Sequence, residues 1–402
     1  MITISSLHLA ALILAGTVPG APSPTPPAAV PTPAPISVTV TNPLAAPRSR
    51  ETIALALAAL AKVAPGFELK TALVVDAAGK PVLSQLVDMD GDETPDEIVF
   101  QTDLGAKETK TFKITVGKRE PASREDYKAY GRFVRERHDD FAWENDLVAH
   151  RVYGPDLETC KKEPLTSSGV DTWVKRVPKL IVNDWYMTDD YHQDHGEGAD
   201  FYGVGKSRGC GGLGIWEKGK LNVSKNFTQS RVLAQGPIRL VFELTYAPWE
   251  AGSMRVGETR RVILDAGTHF NRIESTFTGA SAALSVGLGI SKHKDSTVKA
   301  DTTRGFMRTW EPLEDGKAGK AGNLGCAIVL PPGAKTQEQH LDSDYLLVAT
   351  APASGHLTYY AGSGWDRSGS IRDAAAWAKE VQSLSDRLAS PVKVSLAVAK
   401  AR

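Results

Sequence analysis

The chain has 402 residues, 42% hydrophobic and 23% charged, an ordinary globular composition. Its 47 Lys+Arg balance 47 Asp+Glu, with an isoelectric point near 7.1. No overall field draws it to nucleic acid or to an anionic membrane surface, whereas an acidic sugar needs only a few local cations.

The N-terminus has the form of an export signal. Leu7 to Gly16 is a short, mostly apolar run followed by Pro19-Gly20-Ala21. It is too short to span a bilayer, and no Cys follows it to carry a lipid. Residues 1–21 are therefore expected to be a signal peptide. Residues 22–35, rich in Pro and Ala, form a stiff extended spacer. The expected location is periplasmic or secreted.

Residues 36–118 have the pattern of a small β domain. Ile36 to Thr41 alternates with period two, as do Ile53, Leu55 and Leu57, while Ala58 to Val63 fits either strand or helix. Leu73 to Pro81 predicts strand, turn, strand. Glu97 to Gln101 and Thr109 to Val116 complete the set. A polar stretch from Lys118 to Ala129 marks the boundary.

Residues 130–402 predict a large antiparallel sandwich: strands at Arg239–Tyr246, Arg255–Leu264, Phe270–Phe277, Leu284–Ile290, Tyr345–Thr350 and Leu357–Tyr360. One helix is expected over Ile371–Leu388, with Ala374, Trp377, Ala378, Val381 and Leu384 on one face. The expected fold class is thus mostly β: a small β domain, then a β-sandwich with a C-terminal helix.

Four places carry residues suited to chemistry. In the acidic loop Asp88, Asp90, Asp92 and Asp96 set hard oxygen ligands around one point, as a structural calcium requires; the alternative is a solvated acidic turn. Trp143, Glu144 and Asn145 precede an expected strand bearing Arg151. An aromatic ring beside an amide and a carboxylate suits a sugar, and a surface strand is the alternative. Lys175 and Arg176 point to opposite faces of a segment expected to be an exposed strand.

The fourth place is the polar loop Tyr191 to Tyr202, running into Ser207-Arg208-Gly209-Cys210-Gly211-Gly212. His192, His195 and Glu197 have a metal-like spacing, but Gly196 and Gly198 disfavour the helix such a set would use. Acid–base work fits better. A histidine moves the proton, Glu197 orients it, Tyr191 or Tyr202 protonates a leaving oxygen, and Arg208 neutralises a substrate carboxylate. Trp216, Lys225 and Trp365, the last in a second glycine-rich loop, complete the expected cleft. The alternative is a polar surface loop whose side chains only satisfy local backbone. Cys160, Cys210 and Cys326 allow one disulfide and leave one thiol. Cys210 reads as a nucleophile or as a small buried residue.

The segments Trp143–Asp146, Arg151–Pro155, Asp190–Tyr202, Ser207–Trp216 and Gly236–Arg239 resemble a bacterial family designated a domain of unknown function, DUF4861. The resemblance implies a galactose-mutarotase-like super-β-sandwich and a setting of polysaccharide utilisation. It implies no reaction and assigns no catalytic residue.

Three functions are compatible with these residues. The first is β-elimination on a uronate-containing oligosaccharide, by a lyase or dehydratase, which needs a cation, a base and an acid. The second is glycoside hydrolysis by Glu144 and Glu197, for which the carboxylates must lie about 5–9 Å apart. The third is a non-catalytic or epimerase-like sugar binder using Trp143, Trp216 and Trp365 as platforms. No cofactor is required by the sequence beyond the calcium considered above.

Overall fold

The computed structural model describes residues 34–188, 190–280, 282–315 and 319–399. The expected export signal and the spacer up to residue 33 lie outside the described residues. Among the described residues the protein is mostly β, with antiparallel ladders in five sheets.

The alternating apolar residues of Ile36–Thr41 point inward, with Ile36, Val38 and Val40 fully buried. That strand is hydrogen-bonded to Thr109–Val116 in a five-stranded sheet. A three-stranded sheet of Arg48–Ala56, Glu97–Leu104 and Ser84–Val87 shares the same core through Ile53, Leu55, Ile98 and Phe100. The ambiguous segment is a helix, Leu57–Val63, which buries Leu57 and Leu60. The last strand, Lys393–Val398, pairs with Ile36–Thr41. The C-terminus thus returns to the first sheet rather than staying with the segment expected over 130–402.

An eight-stranded sheet dominates the rest. Its long hairpin Arg239–Ala251 and Met254–Asp265 turns at Gly252–Ser253, and Phe270–Thr278 and His356–Trp365 lie at its centre. The Gly362–Arg367 segment expected as a loop is mostly the end of that last strand. A five-stranded sheet containing Cys210–Glu217, Leu284–Ser291 and Asp344–Ala351 shares one apolar core with it, through residues such as Phe242, Val262, Leu288 and Leu347. The C-terminal helix is Ala374–Ala389. It starts later than expected because Asp373 accepts the Ala376 N–H as its N-cap. Trp377, Val381 and Leu384 are its buried face, with Trp377 stacked on Phe270.

A fifth sheet, in the order Gly198–Ala199, Asp171–Lys175, Ala149–Val152, Asp140–Asn145 and Ala129–Val134, carries the polar chemistry. The middle three strands are buried along their whole length. This corrects one expectation, since Asp171–Lys175 is not an exposed strand, and removes one alternative, since the residues around Arg151 do not form a surface strand. Burial on both faces forces each polar side chain there to find a partner.

Candidate active site

Arg151 and Asp171 face each other across neighbouring strands. Two guanidinium nitrogens of Arg151 reach Asp171 Oδ2 at 3.0 and 2.7 Å, and one also reaches Asp200 Oδ2 at 2.9 Å. A third carboxylate, Asp140, lies 3.8 Å from Arg151, beyond hydrogen-bond reach. Its Oδ1 accepts the Gly154 N–H, but its Oδ2 is buried with no hydrogen-bond partner. Burial pushes the Asp140 carboxyl up to about 7, against the pull of Arg151. Burial and the neighbouring Asp171 charge also raise Asp200 well above the usual carboxylate range. Two of the carboxylates around this arginine, Asp140 and Asp200, are thus shifted upward by burial, and such shifts are concentrated at functional sites.

The Tyr191–Tyr202 loop is closed over this cluster. The Asp200 N–H donates to the Tyr191 carbonyl at 2.7 Å. Asp194 Oδ1 accepts the N–H groups of Gly196 and Gly198, and Asp194 pairs with Arg176. Gly198 has φ +115°, and a Cβ there would sit 2.0 Å from the Val174 carbonyl oxygen, so the strand pairing at this point demands glycine. The Tyr191 ring stacks on Trp173. Its hydroxyl oxygen accepts from Arg137 Nε at 3.0 Å and Arg151 at 3.2 Å.

His192 stands at the mouth, with its side chain 64% exposed and 3.5 Å from the Asp200 carboxylate. Its Nδ1 lies 3.2 Å from the Asp200 carbonyl oxygen. A carbonyl only accepts, so Nδ1 carries the proton and Nε2 keeps its lone pair. The cavity beside it has a volume of about 580 Å³ and is lined by Arg137, Arg151, Tyr153, His192, Asp200 and Tyr202 together with Glu163, Glu314 and Asp315. Tyr153 is held well above the usual phenol range by burial and by the Asp171 charge. Among the described residues, Arg137 reaches one carboxylate within salt-bridge distance, the exposed Glu163 at 3.3 Å.

The remaining expected residues separate. His195 lines a neighbouring cavity of about 530 Å³ with Glu197 and Tyr191. Its Nε2 faces Asp190 at 3.0 Å, while Glu197 is held by Lys179 at 2.6 Å and Trp185. Tyr202 touches the main cavity with its body, but its hydroxyl donates inward to the Gly209 carbonyl. Arg208 is not in the cleft. It is buried, with its guanidinium on Ser168 Oγ and the Lys206 carbonyl, and burial lowers it to about 10.

Glu144 and Lys175 form a buried ion pair at 2.7 Å. Glu144 also accepts the N–H groups of Ile181 and Val182 at the start of the helix Val182–Thr188. Asn145 closes a turn, accepting from Leu147 and Val148 and donating to two carbonyls. Trp143 and Trp365 are core side chains, 1% and 2% exposed, and neither offers a face to a ligand. Trp216 is half-buried on the hairpin after Cys210, and Lys225 is exposed near Glu158. Asp88, Asp90 and Asp96 bring carboxylate oxygens within 4.8 Å of one another, and Asp92 falls outside that group. Their oxygens already take local N–H groups: Asp88 accepts from Asp90, Gly91 and Glu93, and Asp96 from Met89. All three cysteines are free thiols, and Cys210 is buried.

Sequence reasoning missed Arg137, Asp140, Tyr153 and Asp171. Asp140 and Arg137 lie just ahead of Trp143, Glu144 and Asn145, in a stretch from which the sequence singled out only those three residues.

A family described as a domain of unknown function (DUF4861) matches residues 40–394. The uncharacterized protein P7 of Formosa agariphila is 34% identical over 370 residues, which cover 88% of this chain and 92% of that one. Two solved structures from Enterococcus faecalis align with TM-scores of 0.47 at 10% identity: an α-mannosidase and a protein in glycosyl hydrolase family 38. They are matched over 92% and 90% of this chain but 46% and 47% of their own, so the chain spans about half their length.

Proposed function

The chain belongs to the DUF4861 family, and from that premise and the geometry around Arg151 we propose a carbohydrate-active enzyme that cleaves uronate-containing oligosaccharides by β-elimination. The observation that carries this reading is His192: its Nδ1 faces a carbonyl, which leaves Nε2 as the basic nitrogen of the ring, and it borders a cavity that is also lined by Arg137 and Arg151.

In this reading Arg137 binds the substrate carboxylate, displacing the exposed Glu163. Neutralising that carboxylate acidifies the proton on the adjacent carbon. His192 Nε2 removes the proton, the leaving oxygen departs from the next carbon, and Tyr153 supplies its proton. Arg151, committed to Asp171 and Asp200, holds the loop and the cavity wall rather than the substrate. An acidic oligosaccharide is therefore the proposed partner, and a periplasmic or secreted location is proposed with it.

Hydrolysis by Glu144 and Glu197 has less support, since both Glu144 oxygens are committed to Lys175 and backbone N–H groups. A pure binder with tryptophan platforms has less support too, because Trp143 and Trp365 are buried. Incubation with a panel of uronate oligosaccharides tests the proposal. Elimination leaves a conjugated, ultraviolet-absorbing product. New reducing ends without that absorbance would mean hydrolysis, and neither signal across the panel would leave binding.

A further inference from the structure

We propose that Cys160, His138 and Asp156 form a second reactive centre, a thiol nucleophile that accepts acyl groups from carboxylic esters. Cys160 Sγ lies 3.3 Å from His138 Nε2. His138 Nδ1 lies 3.2 Å from Asp156 Oδ2. A carboxylate accepts the Nδ1 proton, which turns the Nε2 lone pair toward the thiol. A nucleophile, a base and a group that orients the base therefore stand in line, the arrangement that activates cysteine in acyl transfer.

The surrounding backbone fixes this line. His138 and Asp139 both adopt left-handed conformations, φ 50° and 63°, which L-residues hold only where the surroundings over-determine them. The restraint is Gly154. A Cβ at this glycine would sit 1.8 Å from the Asp139 carbonyl oxygen, and its N–H donates to Asp140. The turn bearing His138 is thereby packed directly against the start of the short helix Pro155–Thr159, which carries Asp156 and ends at Cys160. Cys160 is partly accessible, unlike buried Cys210 and Cys326. Arg137, Leu157 and Glu163, neighbours of the triad in sequence, line the Arg151 cavity.

The chemistry balances without an oxidant or cofactor. The thiol proton passes to His138 Nε2 as sulfur bonds to the acyl carbon. The carbon–oxygen bond to the alcohol then breaks, and the alcohol leaves with the proton from Nε2. Water, deprotonated by His138, hydrolyses the thioester to the carboxylic acid and returns the thiol. The substrate class is an ester of an alcohol oxygen, with an acyl group small enough to reach a half-buried sulfur.

The probe is p-nitrophenyl acetate. The expected result is a burst of p-nitrophenol with one acetyl group on Cys160, identified by peptide mass spectrometry, followed by steady turnover. C160S loses the burst. H138N slows acylation at least tenfold, and D156N, at an exposed carboxylate, slows it less. H192A leaves the reaction unchanged, which separates this centre from elimination. Acetyl groups confined to lysines, equal rates in H138N and the unmodified protein, or an acetyl that stays on Cys160 without turnover each overturn the assignment.

Discussion

Asp140 Oδ2 and the Arg151 guanidinium stand 3.8 Å apart, close enough to feel each other's charge and too far to share a hydrogen bond. Asp140 is therefore a buried carboxylate with one unpartnered oxygen, and it holds its proton up to about pH 7 rather than 3.8. A folded value raised above the unfolded one means that the group's contribution to stability is fully present below the unfolded value. It is lost as pH rises through the folded value. Asn cannot titrate and keeps an oxygen for the Gly154 N–H. D140N should match the parent protein near pH 4 and exceed it above pH 7, on the order of a few kcal/mol. Urea unfolding at both pH values checks this; a gain of equal size at the two would remove the titration from the explanation.

The His192 geometry sets a second expectation. H192A should lower kcat/KM for elimination by about 10²–10⁴, the range for loss of a general base. H195A should stay within a few-fold, because His195 turns to Asp190 in the neighbouring cavity. R137Q should lower kcat as well as kcat/KM, since the carboxylate that Arg137 neutralises gains charge as the adjacent proton leaves. Steady-state kinetics at 235 nm, roughly where conjugated products absorb, separates these effects; a full rate in H192A would move the base elsewhere.

Legibility followed burial. Strands with one wet face, such as Ile36–Thr41 and Thr109–Val116, advertise themselves by alternation and were placed from sequence. The sheet that holds the site has no wet face on its middle strands, so its pattern carries no period. Its Asp, Glu, Arg and Lys look like surface residues until their partners are known. Arg208 shows the cost of that ambiguity: a glycine-rich setting suggested a ligand, whereas its guanidinium serves the Ser168 hydroxyl and the Lys206 carbonyl. The His192 loop was legible because its glycines, titratable groups and aromatics fit neither core nor spacer. Its main partner, Arg151, was also singled out, but Asp171, 20 residues away, becomes visible only through strand register.

Glu144 and Lys175 yield a third prediction. Both side chains are at most 1% exposed, and the pair also anchors Ile181 and Val182. K175M leaves a buried carboxylate without its cation and should cost about 3–5 kcal/mol. E144Q, which keeps an oxygen for the backbone, also strands a charge, that of Lys175. The double variant E144Q/K175M should recover part of the loss. A double-mutant cycle by chemical denaturation measures the coupling, and strict additivity would show that the two charges do not stabilise each other.

The last prediction concerns the wall of the cavity. His293 Nε2 lies 2.6 Å from the Gly203 carbonyl, and its Nδ1 lies 2.8 Å from Glu311. Both ring nitrogens face acceptors, so the ring is best satisfied as an imidazolium. Burial works to lower its pKa, but the Glu311 hydrogen bond and charge and the Gly203 carbonyl outweigh burial and raise it above 6.5. The stabilisation is thus fully present below the unfolded value and is lost as pH rises through the folded one. Gly203 belongs to the cavity lining, so neutralising His293 loosens the wall that faces the proposed substrate. E311Q should lower the melting temperature at pH 6 more than at pH 9, and the His293 ring followed by NMR should titrate lower in E311Q than in the parent protein. An equal loss of melting temperature at both pH values would mean that Glu311 contributes packing rather than charge.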